Sequence, residues 1–136
     1  SDSIAIQEMA ATDFEEYREV NELILQGRKL GSDVLIAEAT DSKCYDTVVI
    51  SKAADAMLAM SGIEASFVLA KNTQGFISIS ARSRSKLNVQ RIMEELGGGG
   101  HFNLAAAQIK DSTLSEAGEK LTEIVLNEIK EKEKEE

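Results

Sequence analysis

The sequence contains no proline in 136 residues, where average usage of about 5% would give roughly seven, so Pro-rich linkers are excluded. A single cysteine, Cys44, rules out an internal disulfide framework and fits a reducing compartment. Tryptophan is absent and aromatic residues make up only 4% of the chain, so no base-stacking platform is legible. With one histidine, one cysteine and no close-spaced acidic ligand motif, no zinc, iron or two-metal site is recognisable. No apolar run approaches the ~18 residues of a membrane-spanning helix, and no basic segment followed by an apolar one opens the chain as a secretory signal would. A Walker A loop, a GxSxG elbow and a dinucleotide fingerprint are all missing, because the one glycine run follows a helical pattern and not a strand.

What is there suits one packed domain. The apolar share of 43% and the charged share of 29% are ordinary for a globular chain, and the length matches the commonest domain size of about 100–150 residues. The first residue is Ser1, not Met, which leads us to expect a domain excised from a longer polypeptide. The net charge of −9 argues against a nucleic-acid backbone as the main partner. Its distribution says more. Residues 71–110 carry six basic groups (Lys71, Arg82, Arg84, Lys86, Arg91, Lys110) against Glu94 and Glu95, a local +4 that leaves −13 for the remainder. Such a chain can hold a small anion in its basic segment and repel a long polyanion; chance clustering on a solvated face is the alternative.

Periodicity predicts alternating helices and strands. Thr12-Asp13-Phe14-Glu15 reads as a capping box with Thr12 as N-cap, followed by Phe14, Tyr17, Asn21 and Ile24 at helical spacing and by Gly27 as the stop. Asp33–Glu38 reads as a strand, and 39–44 as a polar loop. Asp46 or Thr47 caps a helix with the stripe Val49, Ala53, Ala56, Met57, Met60, ended by Gly62. Ala65–Ala70 and Phe76–Arg82 read as strands joined by a hairpin at 71–75. In the second of these, Ile77, Ile79 and Ala81 face one side, and Ser78, Ser80 and Arg82 the other. Val89, Ile92, Met93 and Leu96 form another helical stripe with Gly97 at its C′ position, and a short segment Ala105–Ile109 follows. Thr113-Leu114-Ser115-Glu116 is a second capping box, opening a long helix with Ala117, Leu121, Ile124, Val125 and Ile129 on one face and a solvated tail over 131–136. The fold class expected is α/β: one domain over 1–136, with a mixed sheet of about four to five strands covered by helices.

Chemistry points first to Gly97–Gly100 and His101. A cap accounts for Gly97, but three further glycines carry an entropic cost that no cap requires. Successive N–H groups in such a loop can form an anion nest, and an imidazole at its end can donate to phosphate oxygens. The small residues Ala105–Ala107 leave room beside it. The alternative is a flexible glycine turn with an incidental surface histidine. Arg82, at a strand end, is the second candidate: a guanidinium there can grip a phosphate with paired N–H bonds. Cys44 lacks a flanking Cys or His and reads as an inert small residue. The chain is thus equipped to hold a phosphate and poorly equipped to hydrolyse one.

Arg82-Ser83, Asn88-Val89, Ile92 and Gly97-Gly98-Gly99-Gly100-His101, with the pair Ala105-Ala106 soon after, resemble the small C-terminal domain of DHH-type phosphoesterases, the DHH-associated domain of type one. The three-residue spacer Phe102-Asn103-Leu104 and the following Gln108 look like the branch formed by bacterial cyclic-di-AMP phosphodiesterases. The resemblance implies a larger catalytic DHH domain upstream in the same polypeptide, with Asp and His ligands for two Mn²⁺ ions, and a cleft between the domains for a cyclic dinucleotide. It implies a substrate-binding role for Arg82, Ser83, Gly98, Gly99, Gly100 and His101, no catalytic residue and no bound cofactor in this chain, and no hydrolysis by it alone. It further implies a parent protein anchored in the bacterial membrane, with this domain on the cytoplasmic side and not itself touching the bilayer. A homodimer is compatible with the sequence. Three other readings remain open at this point: a nanoRNA or bisphosphonucleoside phosphatase domain of the same superfamily, a non-catalytic RNA-binding module of the kind that ends alanyl-tRNA synthetases, and a purely structural oligomerisation domain whose glycines are a loop.

Overall fold

Six strands form one mixed sheet, covered on both faces by helices, in a computed structural model that describes residues 13–135. In chain order the elements are α1 (Phe14–Ile24), β1 (Gly27–Leu30), β2 (Val34–Glu38), α2 (Thr47–Leu58), β3 (Ala65–Lys71), β4 (Ile77–Ser83), α3 (Val89–Glu94), β5 (Gly99–Gly100), β6 (Leu104–Ile109) and α4 (Leu114–Glu135). The strand order is β1-β2-β3-β4-β6-β5. Only β2 and β3 run parallel, because α2 carries the chain back across the sheet between them; every other neighbouring pair is antiparallel. The α/β class is as expected, with six strands where the sequence suggested four to five. The two unforeseen strands are the borders. β1 is short and its Arg28 and Lys29 are exposed, and β5 consists of two glycines, so neither carries an apolar alternation.

The strand pleat divides the core into two layers. Val34, Ile36, Phe67, Leu69, Ile77, Ile79, Ala105 and Ala107 pack under α3 and α4, against Ile92, Met93, Leu121 and Val125. Ala37, Val68 and Ala70 point the other way, against Val49, Ile50, Ala53 and Met57 of α2 and Leu23 of α1. Every position of β4 is buried, so the expected polar side of that strand (Ser78, Ser80, Arg82) is not a solvated one. Helix α2 roofs it, and Ser51 Oγ and Ser80 Oγ lie 3.3 Å apart.

The caps follow the sequence at most ends. Asp46 Oδ1 accepts from Val48 N, and Thr113 Oγ1 from Glu116 N. The Asn72 side chain accepts from Gln74 N and Phe76 N and closes the β3–β4 hairpin. Helix α1 departs from expectation in three ways. Asp13, not Thr12, is its N-cap, accepting from Glu15 N; Thr12 lies outside the described residues. Its buried side is Val20, Leu23 and Ile24, while Phe14 and Tyr17 are 70% and 61% exposed. Gly27 does not stop it: the helix ends at Leu25, and Gly27 opens β1, where a Cβ would stand 2.9 Å from Ile24 O. Met60 lies beyond the end of α2 and is likewise exposed. The charged tail expected to be a solvated end continues α4 as helix to Glu135.

Candidate functional site

The glycine run is ordered backbone with a different task at each position. Gly97 N donates to Glu94 O and Gly98 N to Met93 O, the paired bonds of a Schellman ending, and Gly97 takes the positive φ of +82° that this ending needs. The chain then enters β5, where Gly99 pairs with Ala106 and Gly100 with Ala105 of β6. A Cβ on Gly98 would collide with Ala107 Cα, and one on Gly100 would stand 2.5 Å from Leu104 O and from Ala105 Cα. Close approach of two backbones therefore explains these two glycines, and the small Ala105–Ala107 stretch is the other half of that approach. Gly99 differs: nothing lies within 4 Å of the place its Cβ would take.

His101 opens the turn between β5 and β6 and is exposed; its N–H donates to Leu104 O at 2.8 Å. Leu104 is the register partner of Arg82, which places the histidine's backbone one strand away from the arginine. Ser83 clasps the same turn. Its hydroxyl donates to Phe102 O at 3.1 Å, and its N–H to Asn103 O at 3.0 Å. Asn103 returns the contact through Nδ2 to Ser83 O and Arg84 O. Asn103 was not foreseen, and a polar residue in a loop gives no sequence sign of such a role.

Arg82 sits at the boundary between covered and open sheet. Only 9% of its side chain is exposed. Nε donates to Asp55 Oδ1 at 2.7 Å and Nη1 to Ala81 O at 3.0 Å. Nη2 has no hydrogen-bond partner among the described residues. Asp55 was also missed by sequence reasoning. The sign available was its i, i+4 spacing from Ser51 beside the apolar stripe of α2, which puts both on the edge of the helix that meets β4.

Register shows what shares a face. Ser80, Ala106 and Gly99 lie in one cross-strand row, with Arg82 and Leu104 in the next row on the same side. Helix α2 covers β3 and β4, but Leu104, Ala106 and Gln108 of β6 are exposed on that side. The result is a ledge with α2 as its wall, Arg82 at the foot of the wall, and β6 and β5 as its floor, with Leu104, Ala106, Gln108 and Gly99 on the upper side. Arg82, Gly99 and the His101 turn border this ledge. Ser83 lies on the opposite side of the strand from Arg82, aligned with Ala65. Arg82 gives the ledge a cationic group at the foot of its wall. Metal-ligating chemistry is another matter: among the described residues no group of three or more His, Cys, Asp or Glu side chains could hold a metal ion, so these residues do not fit a manganese pair.

The DHHA1 domain family matches residues 31–132. The chain is 38% identical over 125 residues to the cyclic-di-AMP phosphodiesterase GdpP of Geobacillus thermodenitrificans, covering 92% of this chain and 19% of that protein. It is 39% identical over 121 residues to the cyclic-di-AMP phosphodiesterase PdeA of Listeria monocytogenes, covering 89% of this chain and 18% of that one. It therefore spans about one-fifth of the length of these relatives. Among solved structures, an exopolyphosphatase-related protein from Bacteroides fragilis superimposes with a TM-score of 0.72 at 18% identity, over 90% of this chain and 38% of that one, a likeness of fold.

Proposed function

The chain belongs to the DHHA1 domain family, and from that premise we propose that it is the substrate-binding domain of a manganese-dependent phosphodiesterase that hydrolyses cyclic di-AMP to pApA. The observation that carries this reading is the shared border of the ledge. Arg82 on β4, and Gly99, Gly100 and the His101 turn on the far side, flank the single strand β6, whose side chains toward the ledge are Leu104, Ala106 and Gln108. Similarity at 38–39% identity to two cyclic-di-AMP phosphodiesterases across about nine-tenths of the chain supports the choice of substrate.

In this proposal Arg82 donates charge-assisted hydrogen bonds to a phosphate of the substrate. His101 adds an N–H donor, and Gly99 and Gly100 let the phosphate come close to the main chain. Gly98 and Ser83 hold the strand and turn that present those groups. The two metal ions and their Asp and His ligands belong to a DHH domain in the same polypeptide, and this chain alone hydrolyses nothing. The parent protein is anchored in the bacterial membrane with this domain on the cytoplasmic side; within the described residues no helix is long and apolar enough to cross a bilayer.

The test is the full-length polypeptide carrying His101→Ala. We expect kcat/KM for cyclic di-AMP to fall at least about tenfold, the scale of one lost hydrogen bond to a charged group, with the bound Mn²⁺ stoichiometry unchanged. Loss of metal would instead make His101 a ligand. Catalytic turnover of cyclic di-AMP by the purified 136-residue chain with Mn²⁺ would overturn the division of labour. Preference of the full-length protein for pApA or short RNA over cyclic di-AMP would overturn the substrate assignment.

A further inference from the structure

We propose that Asp55 is a positioning residue: its carboxylate holds the Arg82 guanidinium in the one orientation that leaves Nη2 free on the ledge. The inference rests on the reading of Arg82 as a phosphate contact and adds to it the residue that makes the contact possible. A guanidinium offers five N–H donors around a rigid plane. Fixing Nε on Asp55 Oδ1 and Nη1 on Ala81 O defines that plane completely, because the two bonds run from different nitrogens to anchors on different elements. The Nη2 group is then aimed by geometry and not by rotamer chance.

Burial makes the partner necessary. Arg82 is 9% exposed at the foot of α2, and a cation in such a place is costly without a counter-charge. Asp55, by contrast, is 62% exposed, so water screens the rest of its charge and limits its repulsion of an incoming anion. The bond also joins two layers: Asp55 comes from the roof and Arg82 from the sheet. Ser51 and Ser80, one helical turn and two strand residues back, join them again. The wall of the ledge and its cationic group are thereby held in a fixed relation, as recognition of a small anion demands.

The experiment compares Asp55→Ala, Asp55→Asn and Arg82→Met in the Mn²⁺-loaded full-length polypeptide, with cyclic di-AMP as substrate. Asp55→Ala is expected to raise KM about tenfold, the size of one charge-assisted hydrogen bond, with kcat changed less than about twofold. Asp55→Asn, which keeps an oxygen for Nε, is expected to recover most of that loss, and Asp55→Ala should add nothing in the Arg82→Met background. If Arg82→Met leaves kcat/KM intact, Arg82 does not touch substrate and the functional reading of that residue fails. If Arg82→Met is damaging while Asp55→Ala leaves KM unchanged or lowers it, the positioning role alone fails. Should Asp55→Ala not fold, the unaltered protein decides by NMR. On saturation with cyclic di-AMP, the Arg82 Nε–H resonance should stay at its Asp55-bonded position while the Nη2 protons shift. Movement of Nε–H away from that position would show that substrate replaces Asp55, and would overturn the proposal.

Discussion

The Glu38 carboxylate fills the space that a side chain on Gly118 would occupy. Glu38 ends β2, Gly118 lies in the second turn of α4, and the contact brings a partly buried acid against helix backbone. Burial holds the Glu38 pKa above the usual carboxylate range; Asp41 and Glu119 push the same way, and Arg28 opposes them. An acid whose folded pKa is raised favours folding in its protonated form. The stability it lends is complete below the unfolded pKa and disappears as pH rises through the folded one. Ionised Glu38 therefore weakens the fold at neutral pH. Glu38→Gln should raise the thermal midpoint at pH 7, and the gain should vanish near pH 4; a midpoint lowered at pH 7 would mean that the Arg28 attraction dominates. Gly118→Ala should displace the flexible end of Glu38 toward water, returning its pKa to the ordinary range in an NMR titration. The helix should meanwhile gain about 0.5–1 kcal/mol, as an interior Gly→Ala change normally gives.

Glu64 is the second place where a carboxylate organises backbone. It is 8% exposed and accepts from the N–H groups of Ser85, Lys86 and Leu87 at 3.0–3.1 Å, fixing the loop that leads from β4 to α3. Removing it strands three donors. Glu64→Ala should cost about 2–4 kcal/mol in urea unfolding, and Glu64→Gln, which retains one acceptor oxygen, distinctly less. A loss under about 1 kcal/mol for the alanine variant would show that water replaces the carboxylate at all three N–H groups.

The glycines should separate into two groups on substitution. Gly98→Ala and Gly100→Ala press a methyl into the β6 backbone, and each should destabilise the chain by about 3 kcal/mol, the range of overpacking, with the positive φ of Gly100 adding strain at that position alone. Gly99→Ala meets open space and should change stability by less than about 1 kcal/mol. If the ledge holds substrate, this third variant should still weaken cyclic di-AMP binding in the full-length polypeptide, because its methyl stands where the ligand comes closest. Calorimetry on the three variants checks the first part and ligand titration the second.

Much of this fold was legible because periodicity and burial agree where a face is strictly apolar. The Ile77-Ile79-Ala81 alternation and the Val89-Ile92-Met93 spacing each found their layer. Legibility fails where polarity and burial part company. Ser78, Ser80 and Arg82 read only as the side opposite the apolar one, with nothing to say what covers it; in the fold Ser78 pairs with Asn72, and Ser80 and Arg82 pair with Ser51 and Asp55 of α2. Phe14 and Tyr17 fail in the opposite direction, since aromatic residues at helical spacing look buried and are not. At the site, the glycine run was conspicuous, but its meaning was only partly readable. Sequence shows that glycine is needed, not whether a ligand or another strand of the same sheet makes the close approach. Asp55 was missed for a different reason: its spacing from Ser51 put it on the edge of α2, but an exposed helical acid looks like any other until the buried cation beneath it is placed.

The borders of the sheet limit how two such chains could join. One border, β1, displays Arg28 and Lys29; the other, β5, has two glycines and ends in the Gly100–Leu104 turn. Neither offers the long, flat, apolar template on which a second sheet could grow. Lateral fusion of two sheets into a continuous twelve-stranded ribbon is therefore disfavoured at both rims.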